Sequence, residues 1–313
     1  MIKVEHVKKS FKEKEVLKDI TFEFLPDRVY IIIAPNGTGK TTFINTLCGF
    51  MLPDEGTISF SDGMDEQGFD VILSGERNLY VKNTVYENLI YFSMLKGMSK
   101  STADAAIARE KEKFPIYETV KNKLVETLSY GQKRIVSLMS AVVTGAKCVI
   151  IDEATDGLDI DNRKLVADTI RSVRDGRSII VIAHDFSFAS DVADTLIFLK
   201  DGRFAEVVEN GREEEIGQIY KKLYHGEIKM DFLRSIRYRF GTISDLLVYF
   251  ALFTVFMVTD SGNSYAQTYH YGNYKELVLL GYVAWIYAIS AISNVAGSLQ
   301  SELPHGTLYK KVS

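Results

Sequence analysis

Two short stretches carry residue types that together do chemistry on phosphate. The first is Ala34-Pro35-Asn36-Gly37-Thr38-Gly39-Lys40-Thr41-Thr42, directly after the apolar run Ile31-Ile32-Ile33. Gly37 and Gly39 let backbone N–H groups turn inward and approach phosphate oxygens, and a helix opening near Lys40 points its positive dipole end at the same anion. Lys40 reaches the β- and γ-phosphates of a nucleotide, and Thr41 offers a hydroxyl to Mg²⁺. The strict pattern for such a loop has Gly at position 34, where this chain has Ala34; the smallest residue with a Cβ keeps a similar turn if φ there is negative. The second stretch is Asp152-Glu153, at the end of the apolar run Val149-Ile150-Ile151. Asp152 is placed to help hold Mg²⁺, and Glu153 to polarise an attacking water.

The elements around them must bring the two stretches together. Alternating or apolar runs predict strands over 2–6, 15–24, 30–33, 56–60, 69–73, 148–151, 178–183 and 195–199. Helical spacing follows the phosphate loop through Cys48, runs from Thr84 to about Ile116 with Val120–Leu128 continuing in kind, and returns at Arg134–Val143, Asn162–Val173 and a last helix to about Tyr224. Strands alternating with helices predict a mostly parallel sheet covered on both faces, interrupted by a helical insert.

The 313 residues allow more than one domain, and the composition changes near residue 225. Residues 1–225 are mildly acidic, about −5, without a basic patch, which excludes nucleic acid as the main partner. Cys48 and Cys148, far apart in apolar stretches, read as buried reduced thiols, and the histidines have no zinc-ligand spacing. The N-terminus has no signal-peptide pattern. Residues 226–313 differ: Met230–Arg239 is basic and amphipathic, and two apolar runs, about 240–259 and 277–299, each reach the ~20 residues needed to cross a bilayer. Basic residues flank the pair, and Tyr265, Tyr269, Tyr271 and Tyr274 lie between the runs, so both outer flanks are expected on the cytoplasmic side of a cell membrane.

Further elements stand in order around the first two: Leu128-Ser129-Tyr130-Gly131-Gln132 before Asp152, Asp156-Gly157-Leu158-Asp159 after it, and Ile182-Ala183-His184-Asp185 at the next strand end. Over residues 1–225 this order resembles an ABC-type ATPase: P-loop, helical insert, LSGGQ-like element, Asp-Glu strand, D-loop and switch histidine. The resemblance implies an α/β fold, a P-loop NTPase domain with a helical subdomain, followed by an α-helical membrane segment with two predicted spans. It implies ATP and Mg²⁺ as cofactors, held by Ala34–Thr42 and, for the metal, Thr41 and Asp152. It implies that Phe11 stacks on adenine, that Lys40, Glu153 and His184 act at the γ-phosphate, and that Ser129, Gly131, Gln132 and Asp159 serve the nucleotide of a second ATPase domain. A plain core Phe and a helix N-cap remain the local alternatives for Phe11 and Ser129. Two positions depart from the family pattern: Tyr130 replaces the first of the paired glycines, and Gly75 stands where the family has a Gln that reaches Mg²⁺ and the membrane domain.

The C-terminal part resembles the opening of an ABC-2-type permease fused behind its ATPase. Met230–Arg239 is similar to its interfacial elbow helix, and Glu302-Leu303-Pro304-His305-Gly306-Thr307-Leu308 to its cytoplasmic E-x-x-x-G-T-L segment. The resemblance implies ATP-driven transport, export in direction, by a dimer of ATPase domains, with further permease spans from the rest of the chain or another subunit. The other readings are a membrane-anchored ATPase subunit serving a separate permease and a regulatory nucleotide-binding module with little turnover.

Overall fold

The computed structural model describes residues 1–224 apart from 62–67, 74–77, 153–154 and 156–157. The chain divides into two units, Met1–His225 and Gly226–Ser313. The elbow helix, the expected spans at about 240–259 and 277–299, Glu153 and Gly75 all lie outside the described residues. Among the described residues, no helix is long and apolar enough to cross a membrane.

The first unit is built on a six-stranded sheet. Its strands, in spatial order, are β5 (Phe69–Ile72), β6 (Cys148–Asp152), β7 (Ser178–Ile182), β3 (Arg28–Ile33), β8 (Thr195–Lys200) and β9 (Arg203–Glu209). The first five run parallel, and β9 is an antiparallel edge strand turned back on β8 through Asp201-Gly202. The central strands read as near-continuous apolar runs, with polar residues only at their ends, because both faces are covered. Val29, Ile31, Ile33, Val149, Ile151, Ile179 and Val181 point into one core, while Tyr30, Ile32, Ile150, Ile180 and Ile182 point into the other.

The first core is closed by α2 (Val85–Leu95), α3 (Lys100–Glu110), α5 (Tyr130–Val143) and α6 (Ile160–Val173). The second is closed by α1 (Lys40–Leu47) and by a separate antiparallel sheet of β2 (Lys14–Phe24), β1 (Ile2–Phe11) and β4 (Glu55–Phe60). A short α4 (Tyr117–Val120), α7 (Phe186–Val192) and α8 (residues 213–224) complete the unit.

The helical insert differs from its sequence reading in two places. Gly97, at φ +81°, breaks the expected long helix into α2 and α3. Lys121–Leu128 is not α-helical and holds only a single 3-10 turn at Val125–Thr127. Its backbone is used laterally: Val85 N–H and Tyr86 N–H donate to the carbonyls of Lys123 and Lys121, and Val125 N–H and Glu126 N–H donate to those of Asn83 and Val81. Pairing with a neighbouring segment satisfies these groups as well as a helix would, and apolar spacing alone does not distinguish the two.

Candidate nucleotide site

Strand register brings the candidate residues to one edge of the sheet. Asp152 pairs with Ile182, and Ile182 pairs with Ile32, so the last residues of β6 and β7 stand level with the penultimate residue of β3 across three adjacent parallel strands. The carboxyl edge of such a sheet is where ligands bind in open α/β folds. Ala34 and the phosphate loop continue from β3, and His184 lies exposed just beyond β7.

The loop is held by its own lysine. Lys40 Nζ donates to the carbonyls of Ala34 (2.7 Å) and Pro35 (2.9 Å), and Asn36 Oδ1 lies 3.4 Å away. Thr38 Oγ1 donates to the same Pro35 carbonyl at 2.9 Å. Ala34 is buried and is not among the positive-φ residues, so its Cβ is accommodated without strain. Gly39, at φ +103°, caps α1, and a Cβ there would sit 3.0 Å from Val16 Cγ1 on β2. The loop is therefore backed by the small antiparallel sheet, which makes Gly39 a steric as well as a conformational requirement. Helix α1 has no side-chain cap and no acidic residue in its first turn, so local carboxylates leave its positive end uncompensated. Thr42 sits half-buried in that turn, and its carbonyl accepts from Thr46 Oγ1 at 2.8 Å.

Thr41 and Asp152 line one cavity of about 510 Å³, along with Asn45, Lys96 and Cys48. The hydroxyl and carboxylate facing it are hard oxygen donors of the kind Mg²⁺ takes, while the loop offers an anion cradle, so these residues fit Mg²⁺ and the phosphates of ATP. Cys48 takes no nucleophilic part: burial pushes its thiol up to about 12, and Cys148 is raised by burial as well. Both cysteines are free and buried.

Phe11 ends β1 at a tight turn, pairs with Lys14 and is 45% exposed. It is not a core Phe, and its ring is accessible for stacking.

The LSGGQ-like element opens α5. Ser129 Oγ accepts from Gln132 N–H at 3.3 Å, and Gln132 Oε1 accepts from Ser129 N–H at 3.0 Å, a reciprocal capping box. The N-cap role read locally for Ser129 is therefore real. The exposed Ser129 hydroxyl accepts in this pair and keeps its own proton to donate. Gly131 is buried, and a Cβ there would meet Asn162 Oδ1 at 2.7 Å. Asn162 Nδ2 in turn donates to Asp159 Oδ2 at 3.0 Å, and Asp159 caps α6 by accepting from Asn162 N–H at 2.8 Å. Close helix contact thus unites Gly131 with Asp159. Spacing alone gives no sign of Asn162. Nor does it single out Asp185, the α7 cap beside His184, which is ion-paired to Arg163 of α6.

Comparison with known proteins agrees with this geometry. The family described as ABC transporter matches residues 17–156. The arginine transport ATP-binding protein ArtM of Bacillus subtilis (strain 168) is 31% identical over 226 residues, covering 69% of this chain and 92% of that protein. The Nod factor export ATP-binding protein I of Bradyrhizobium sp. (strain SNU001) is 30% identical over 239 residues, covering 74% of this chain and 77% of that protein. The fold is that of a solved ATP binding subunit of an ABC transporter, with a TM-score of 0.60 at 23% identity over 71% of this chain and 99% of that one. Phosphate loop, paired strand ends, capped LSGGQ-like helix and relatives all converge: the chain belongs to the ABC transporter ATP-binding family and is an ATP hydrolase of that type.

Proposed function

We propose that two ATPase domains of this kind close on ATP, that hydrolysis reopens them, and that this motion drives export across a cell membrane. The observation that carries the reading is the meeting of Thr41 and Asp152 in one cavity beside the Lys40-braced loop, at the level ends of adjacent strands. Phe11 stacks on the adenine, Ala34–Thr42 cradle the phosphates, and Lys40 places positive charge on the γ-phosphate. Thr41 and Asp152 hold Mg²⁺, which when bound neutralises phosphate charge. Glu153 takes a proton from the attacking water, and His184 orients the γ-phosphate. Ser129, Gly131 and Gln132, with Asp159 beside them, complete the site of the partner domain.

A mixing experiment tests the composite site. Lys40→Ala and Ser129→Ala chains, each impaired alone, are combined and ATP turnover is measured. If Ser129 serves the partner's nucleotide, the mixed dimer has one intact site and turnover returns. If Ser129 serves its own chain's nucleotide, every site carries a defect and mixing restores nothing.

Residues 1–225 form the ATPase domain in this reading, and residues 226–313 an elbow helix and two spans that anchor it in the membrane with the ATPase cytoplasmic. The support is the length and apolarity of the two runs, their basic flanks and the tyrosines between them. Further permease spans come from the rest of the chain or another subunit. Among the relatives, one is named for arginine transport and one for Nod factor export, and the E-x-x-x-G-T-L segment favours the export type. A cysteine placed between Tyr265 and Tyr274 is expected to react with an impermeant maleimide on intact cells; reaction only after lysis would refute two spans.

A further inference from the structure

Arg134 lies on the first turns of α5, five residues after Ser129, yet its side chain is turned inward and the residue is only 5% exposed. A guanidinium that deep is costly unless its donors are satisfied. Nη1 donates to the Leu73 carbonyl at 2.8 Å, and Nη2 to the Asp152 carbonyl at 3.3 Å. The guanidinium carbon is also 5.7 Å from the centre of the Tyr130 ring. Leu73 is fixed a second time: its N–H donates to Asn78 Oδ1 at 2.9 Å, and its carbonyl accepts from Asn78 Nδ2 at 2.7 Å.

One side chain thus joins three stretches that are distant in sequence. They are the start of the LSGGQ-like helix, the exit of β5 and the exit of β6. The Asp152 carbonyl belongs to the peptide bond whose nitrogen is that of Glu153. Tyr130, one departure from the family pattern, supplies the ring against the guanidinium, and the other, Gly75, falls in sequence between Leu73 and Asn78.

We propose that Arg134 is a positioning residue for ATP hydrolysis, transmitting the position of the Ser129 helix to the Asp152–Glu153 peptide and to Leu73. It touches no nucleotide. Its planar fork presents two separate nitrogens in fixed geometry to carbonyls just past β5 and at the end of β6, where an ammonium would offer one nitrogen on a flexible stem. When the partner's nucleotide engages Ser129, a shift of α5 is carried through this fork to the peptide that bears the general base. This link connects the start of α5 to the exits of β5 and β6 at the catalytic edge. The inference rests on the reading of Glu153 as base and Ser129 as the partner-facing group.

The full chain is the material for the test. Turnover is measured as a function of ATP, and ATP affinity separately at equilibrium, for Arg134→Gln, Arg134→Lys and Tyr130→Leu, with Glu153→Gln alongside. Misplacement of the base without loss of the cradle lowers kcat of Arg134→Gln about 10- to 100-fold while Kd for ATP stays within about twofold. Arg134→Lys, keeping the charge on a single donor nitrogen, recovers part of the loss. Tyr130→Leu loses the ring contact and about threefold in kcat. The proposal is overturned if Arg134→Gln turns over within about twofold of the parent, if Kd rises by the factor by which kcat falls, or if Arg134→Lys does no better than Arg134→Gln. If Arg134→Gln does not fold, the decision passes to the other two: parental kcat in both Arg134→Lys and Tyr130→Leu sinks the proposal. Parental turnover in Glu153→Gln would instead refute the assignment of the base, a failure visible apart from that of Arg134.

Discussion

Lys40→Ala is expected to lower ATP turnover by at least about 10²- to 10³-fold, the usual effect of removing one preorganised charge from a developing phosphate anion. That corresponds to about 2.7–4 kcal/mol of lost transition-state stabilisation. Two effects add. The substitution removes the ammonium that meets the β- and γ-phosphates. It also removes the brace across the loop, because the same nitrogen donates to the Ala34 and Pro35 carbonyls. Nucleotide affinity should therefore fall along with kcat. Isothermal titration with ATP and a coupled phosphate-release assay check both. The β3–α1 packing around Ile32, Phe43 and Leu47 does not involve Lys40, so the melting temperature without nucleotide should change little. Turnover within tenfold of the parent would refute the assigned role.

Glu153→Gln has the opposite signature. Loss of a positioned general base costs about 10²- to 10⁴-fold in kcat. The phosphate cradle and the Thr41–Asp152 pair are untouched, so ATP still binds. With binding retained and hydrolysis blocked, the variant is expected to accumulate as an ATP-bound dimer. Sedimentation or size-exclusion chromatography with Mg-ATP checks this, with ADP as the control. Hydrolysis as fast as the parent's would show that another group activates the water. The two substitutions divide the site: one removes binding and chemistry together, and the other removes chemistry alone.

The catalytic edge was legible where chemistry forces sequence. A glycine loop before a lysine, and carboxylates after a buried strand, have few other uses in combination. The order of strands was less so. Nothing local to Ile2–Phe24 shows that these strands leave the main sheet for a second one, because pairing partners are fixed by burial on both sides of the P-loop helix. The same holds for β9, whose antiparallel return depends on the turn at Asp201-Gly202. Lys121–Leu128 misled as a helix because its carbonyls serve a neighbouring segment, which no periodicity records. Arg134 was the least legible. On a helical wheel it is one more polar residue, and only the fold reveals that its side chain turns inward to two carbonyls.

The level alignment of Asp152, Ile182 and Ile32 has a mechanical consequence. Parallel ladders on both sides of β7 fix the axial positions of three strand tips, and a slip of one residue would shift a tip by about 3.3 Å and turn its side chain to the opposite face. The sheet therefore behaves as a stiff anvil during a catalytic cycle. A shift of α5 then acts on the peptide just past the ladder at Asp152, while the strands that bear the tips keep their register.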